Sequence, residues 1–289
     1  MSRSNGVTLI ELVIVIVLTA ILAAMMAYFA VPMFSYFDTR RRAEMTDLAD
    51  TALRRMGREL RAALPNSVRV SSDNQVLEFL LVRTAGRYRF DVAASTTNGC
   101  PAGAGTTPSE DVLRFGAADG CFKTIGNIPN PTSVTANDFL VVYNLQPGTT
   151  DADAYATGAA TGGNKAKITS VTAQTDQDLV IFASNTFKFE SPANRFQIIE
   201  GPVLYACSGG ELRRYTAHGI QSGLVPPAPS GAYAVVVTNV DTCSFTYDPN
   251  TVAQSNGLVT LRLRLSSTDV KSNPEYVSLY HAVHVSNVP

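Results

Sequence analysis

With 289 residues and a formal net charge of −1, the chain lacks the global basic field that draws a protein to nucleic acid or anionic lipid. Its length suits one large domain or two modest ones. Charged residues make up 16%, below the usual share of about a quarter, and polar uncharged Ser, Thr, Asn and Gly stand in for them. Hydrophobic residues make up 45%, with one dense block at the N-terminus.

Residues 12–37 carry no charge. As a helix they reach about 39 Å at ~1.5 Å per residue, enough to cross a hydrocarbon core of about 30 Å. A secretory signal peptide has a basic start, a shorter apolar run and a small-residue cleavage site after that run. Here only Met1-Ser2-Arg3-Ser4-Asn5-Gly6 precedes, and the apolar run is too long. Glu11 stands at the edge of the run, where a carboxylate is costly to bury and needs a partner or a function. The plain alternative is a glutamate resting in the headgroup layer.

The string Gly6-Val7-Thr8-Leu9-Ile10-Glu11-Leu12 resembles the type IV prepilin motif: Gly, an apolar residue, Thr, Leu, Ile or Val, and Glu. The resemblance implies that a membrane prepilin peptidase cuts between Gly6 and Val7 on the cytoplasmic side and N-methylates Val7. It also implies that Glu11, fifth in the mature chain, pairs with the N-terminal ammonium of a neighbouring subunit and sets the axial register of a filament. Beside such a cation a buried carboxylate is paired rather than stranded. Two departures stand out. Val7 replaces the more usual Phe, and Pro32 lies a few positions later than the helix-breaking Pro of many major pilins. The implied partners are the peptidase/methyltransferase, other major and minor pilins, and an inner-membrane assembly platform. The implied location is the bacterial inner membrane, with one span and a periplasmic head, and the cell surface after assembly.

From Asp38 the composition changes but helical periodicity continues. Met45, Leu48, Ala52, Met56 and Leu60 fall at spacings of three and four, and Ala49, Leu53 and Ala63 widen the stripe. The opposite face is rich in Arg, Asp and Glu. Pro65 ends the pattern. One helix over 7–63 would reach roughly 85 Å, apolar all round in its first half and amphipathic in its second. Arg40-Arg41-Arg42 conflicts with export, because a basic cluster beside a span usually marks the cytoplasmic side. The prepilin motif and the cysteine pattern both demand an exported head. The arginines then read as a solvated face, partly paired with Glu44 and Asp38.

Residues 66–289 read as strands and loops. Segments 75–82 and 87–92 flank a Gly-containing turn and predict a hairpin. Further strands are predicted at 138–144, 178–183, 194–200, 203–207, 211–216, 232–238, 243–247, 257–265 and 275–286. The last puts Val277, Leu279, His281, Val283 and Val285 on one face. Residues 94–109 and 146–167 are flexible by composition. Residues 225–231, rich in Pro, form a stiff link that separates two sub-sheets. The fold class is therefore α+β and pilin-like, a long N-terminal helix packed on an antiparallel β-sheet head. The divisions are a leader at 1–6, a membrane and filament-core half-helix at 7–37, an amphipathic half-helix at 38–64 and a head at 65–289.

Four cysteines, Cys100, Cys121, Cys207 and Cys243, contain no CxxC pair, which argues against zinc and thioredoxin-like chemistry. An even, widely spaced set in an exported chain reads as two disulfides. Pairing Cys100 with Cys121 and Cys207 with Cys243 closes the shortest loops, and three connectivities remain open. Asp151 and Asp153 are spaced like the start of a calcium loop, but the rest of that pattern does not follow in register, so no metal is expected. His281 and His284 point to opposite sides of a strand and cannot chelate one ion. Gly162-Gly163-Asn164-Lys165 is not a phosphate loop, and no acid–base set converges, so no catalytic site and no cofactor are expected. The head carries 15 Lys and Arg against 18 Asp and Glu, a net −3, which disfavours a phosphate-binding surface.

Segments 196–203, 205–208 and 279–289 resemble the large minor pilins of mannose-sensitive haemagglutinin (MSHA) pilus systems, the MshO-like proteins. That resemblance implies a non-enzymatic subunit at or near a pilus tip that aids initiation of assembly. A J-like minor pseudopilin of type II secretion shares the same plan, and a tip adhesin or DNA receptor is a third class.

Overall fold

The computed structural model describes residues 7–89, 112–249, 256–268 and 273–289. One long helix, α1 (Leu9–Arg61), precedes a β-rich head. Its 53 residues reach about 80 Å at ~1.5 Å per residue, and it continues through Pro32. It ends where Ala62 donates its amide back to the Glu59 carbonyl at 3.0 Å, ahead of Pro65. Leu64 N then donates to Leu80 O (2.7 Å) and Val82 N to Ala62 O (2.9 Å), which ties the helix end to the sheet.

The strands in chain order are β1 (Arg69–Val70), β2 (Val76–Arg87), β3 (Asp119–Lys123), β4 (Phe139–Val142), β5 (Lys165–Ala173) and β6 (Asp178–Asn185). They continue with β7 (Arg195–Ser208), β8 (Glu211–Tyr215), β9 (Tyr233–Thr238), β10 (Val240–Asp248), β11 (Asn256–Thr268) and β12 (Pro274–Ser286). A 3₁₀ turn, Pro131–Ser133, is the only other helical element among the described residues. Every strand pairing is antiparallel. The larger sheet runs β1-β2-β7-β4-β5-β6-β3, with β8 and β9 added along the second half of β7. The smaller sheet runs β10-β11-β12.

Several expectations need correction. The hairpin over 75–92 does not form, because Val76–Arg87 is one strand paired along its length with β7. Gly86 lies inside it, and a Cβ there would meet Ile128 Cγ2 at 2.7 Å and Phe196 Cζ at 2.9 Å. This glycine serves close packing rather than a turn. Segments 194–200 and 203–207 are likewise one strand, β7. Pro202 is tolerated inside it because β4 stops pairing at Ile199 and β8 starts at Leu204, so no strand lies on that side. Strands β1, β3 and β5 were not anticipated; β5 alternates weakly and begins Lys-Ala-Lys. The link 225–231 precedes β9, which still belongs to the larger sheet. The chain changes sheets at Asn239 instead, where φ is 58°. Leu48 is 43% exposed and stands outside the buried helix stripe. Arg42 pairs with Glu275 and Arg41 donates to Thr268 O at 2.6 Å, so two of the basic cluster's side chains bind the last two strands; the side chain of Asp38 lies outside the described residues.

The amphipathic half of α1 buries Met45, Ala49, Ala52, Leu53, Met56 and Leu60 against both sheets, including Phe79, Tyr205, Phe245, Leu261 and Val283. Gly57 lets β12 approach the helix, since a Cβ there would lie 3.0 Å from His281 Nε2. A disulfide joins Cys207 on β7 to Cys243 on β10, across the two sheets, with the Cα atoms 6.4 Å apart. The Cys100–Cys121 pairing and the loop at 94–109 lie outside the described residues. A second core, remote from the helix, clusters Tyr88, Phe122, Phe182, Phe187 and Phe196, with Phe122 and Phe196 edge-on at 5.1 Å.

The segment 146–167, expected to be flexible, instead packs its middle, residues 152–155, into the head and ends in the start of β5. Ala152, Ala154 and Tyr155 are fully buried. Both Asp153 carboxylate oxygens accept backbone amides, from Gly148 and from Tyr155, each at 2.8 Å. Lys165, at the start of β5, is buried, and its ammonium donates to the carbonyls of Ala154 (2.7 Å) and Gly158. Burial lowers its pKa to about 8, against an opposing pull from Asp153. Composition could not show this, because a small polar loop closes around a cation only when the fold delivers the cation.

Candidate functional site

The processing end of the chain is built from local rules. Val7 and Thr8 lead into α1, and Thr8 is its N-cap in extended geometry (φ −74°, ψ 151°). The Thr8 hydroxyl accepts the Glu11 amide at 3.3 Å. Thr8-Leu9-Ile10-Glu11 thus has the spacing of a capping box, a role for Thr8 that was legible in the sequence but not drawn from it. Glu11 occupies the first turn, where the helix dipole favours a negative charge. Among the described residues no cation is paired with Glu11. Gly6 lies outside the described residues.

Beyond Glu11 the helix is apolar on every side. Leu9–Tyr28 forms a candidate membrane span of 20 residues with mean hydropathy 2.8, none of it buried by the rest of the chain. At ~1.5 Å per residue that length matches a hydrocarbon core of about 30 Å. Thr19 turns its hydroxyl back to the Val15 carbonyl at 2.8 Å, so its polar group is satisfied within the helix, as an apolar surrounding requires. A helix that is apolar all round and packs on nothing in its own chain needs lipid or other subunits to cover it.

The remaining polar clusters hold the head together. Glu59 on α1 accepts from Tyr205 Oη and Arg214 Nε, both at 2.9 Å, which locks the helix to β7 and β8. Burial and the Glu59 carboxylate push the Tyr205 phenol well up. Arg69 and Glu78 form a buried ion pair, and the His218 ring contacts Glu78 Oε1 at 2.8 Å. Arg69 also donates to the carbonyls of Gly223 (2.6 Å) and Gln221 (3.0 Å), so this cluster clamps the loop before β9. Asp153 accepts two backbone amides, and no group of three or more His, Cys, Asp or Glu side chains, around Asp151 and Asp153 or elsewhere, converges among the described residues. His281 faces Gly57 on the helix, while His284 is exposed on the other side of β12.

Residues 1–27 match the family model described as the prokaryotic N-terminal methylation motif. The motif indicates a type IV pilin-like prepilin substrate, which implies processing by a prepilin peptidase and assembly with other pilins. The single apolar helix at the N-terminus fits a membrane-anchored pilin. No curated protein and no solved structure matches the chain.

Proposed function

We propose that this chain is a non-enzymatic minor subunit of a type IV pilus of MSHA type, added at or near the tip and active in starting assembly. The observation that carries the reading is the division of α1. Its amphipathic half is sealed into the head by both sheets, while Leu9–Tyr28 is exposed on all sides behind the methylation motif. An ordinary anchor has no use for a second half built into the core, whereas a filament subunit needs its head rigidly fixed to the helix that packs in the shaft. The size of the head supports a minor role, because a subunit this bulky would crowd a shaft if repeated along it. The segments 196–203, 205–208 and 279–289, which carry the MSHA resemblance, lie in β7 and in β12 and the residues just after it.

The first test is intact mass and N-terminal sequence of the protein from cells with and without the prepilin peptidase. A mature chain beginning at N-methyl-Val7 only when the peptidase is present is expected. An uncleaved chain in both strains overturns the reading. Deletion is expected to reduce the number of pili, and unchanged piliation with loss of secreted enzymes assigns the chain to type II secretion instead.

A further inference from the structure

The outer face of the smaller sheet carries a cleft that the filament reading does not use. Strands β10, β11 and β12 turn alternate side chains towards the helix, including Cys243, Leu263 and Leu279. The intervening residues form cross-strand rows on the opposite face. One row is Thr242–Arg264–Ser278 and the next is Ser244–Arg262–Tyr280. The rows are two residues apart on each strand, roughly 7 Å at ~3.3 Å per residue. Between them lies an open cleft of about 430 Å³ floored by the backbone of the Cys243–Leu263–Leu279 row.

Three features define the chemistry of the cleft. First, it offers flat aromatic surface: Tyr280, which lines it, is 59% exposed. Second, its aromatic ring lies within reach of a guanidinium, Arg262 at 5.7 Å from the Tyr280 centroid, while Arg264 lies 4.8 Å from Tyr276, which stands further along β12, outside the cleft. Arg264 is neutralised by Asp241. No ion pair to Arg262 is present among the described residues, so the cleft holds one uncompensated positive charge. Third, the rest of the lining is hydroxyl-bearing: Thr242, Ser244 and Ser278.

We propose that this cleft binds an anionic polysaccharide through its uronate residues. Arg262 pairs with a sugar carboxylate in the two-pronged geometry that guanidinium favours. The exposed ring of Tyr280 stacks on the apolar face of a sugar ring, and the Ser and Thr hydroxyls bond ring hydroxyls. A DNA strand fits the lining less well: along its backbone it has no free sugar hydroxyls for Thr242, Ser244 and Ser278 to bond, whereas a uronate chain offers ring hydroxyls beside each carboxylate.

The proposal does not depend on the pilin reading and is tested on the purified full-length chain in detergent. Binding of oligogalacturonate is measured by titration calorimetry at low and moderate salt, with neutral dextran oligomers and oligo-dT as comparisons. Oligogalacturonate is expected to bind, at least tenfold more tightly than dextran and more weakly as salt rises. Arg262→Ala and Tyr280→Ala are each expected to reduce that affinity tenfold or more, while leaving the thermal transition of these exposed positions close to the parent's. Arg262→Lys is expected to restore part of the loss. Absence of glycan binding, equal affinity for dextran, tighter binding of oligo-dT, or affinity unchanged by both alanine variants overturns the proposal.

Discussion

Lys165 shows how one side chain can organise a segment whose composition suggests no order. Its ammonium gathers the Ala154 and Gly158 carbonyls, and burial holds its pKa near 8 against 10.5 when free. Between these values the unfolded chain keeps a proton that the folded chain has released, so stability rises with pH. The expected gain is about 2 kcal/mol from pH 8 to pH 10, at ~1.4 kcal/mol per pH unit. Above pH 10 the sign reverses, because Tyr155 and Tyr205 stay protonated when folded and ionise when unfolded. Urea unfolding across pH 7–10 is expected to show the rise in the parent and its absence in Lys165→Met. That variant is also expected to be about 1–3 kcal/mol less stable at pH 7.5, since two buried carbonyls lose their donor. Glu11 poses the complementary case of a charge with no paired cation among the described residues. Glu11→Leu is expected to leave membrane insertion and processing intact and to abolish incorporation into filaments. Normal incorporation of the variant, measured by immunoblot of sheared pili, would remove Glu11 from assembly.

At the scale of elements, α1 joins two helices with different surroundings. The first half obeys the composition of a membrane span, and the second obeys the packing of a globular core. Gly57 sits where that core is tightest, with His281 and Val283 against its Cα. Glycine costs a helix interior about 1 kcal/mol relative to alanine, and here it permits the approach of β12. Gly57→Leu is expected to push β12 off the helix and lower stability by about 1–3 kcal/mol despite the better helix propensity. The thermal transition reads this directly; an unchanged or raised midpoint would show that β12 has room to move.

The two sheets of the whole molecule share one core around α1 and are cross-linked by Cys207–Cys243. The bridge spans 36 residues of sequence, including β8, β9 and the proline-rich link. In the chain-entropy model a loop of that length stabilises the fold by about 4 kcal/mol. Replacing both cysteines by alanine is expected to cost roughly 3–4 kcal/mol in guanidinium unfolding, with the smaller sheet exchanging its amide protons first. Uniform exchange across both sheets would mean that the helix alone unites them.

The long apolar helix, its amphipathic continuation and the alternating strands β11 and β12 were legible in sequence, because each is specified by a local period of side chains. The N-terminal motif was legible because a charge inside an apolar run has few explanations. Gly86 and Pro202 were misread as breaks, since a glycine that admits Phe196 and a proline opposite a gap between β4 and β8 look locally like turn residues. Strand β5 was missed because its buried side chains, Ala166 and Ile168, join a core supplied by distant residues such as Phe122 and Phe196, and its own alternation is weak. Sequence by itself determined that this protein has a membrane-compatible helix with a processing motif, followed by an antiparallel head. Only the tertiary structure decided which polar groups are buried, where the two sheets part, and that Arg262, Tyr280 and their neighbours line one cleft. Periodicity is written into neighbouring residues, whereas burial and convergence depend on residues far apart along the chain.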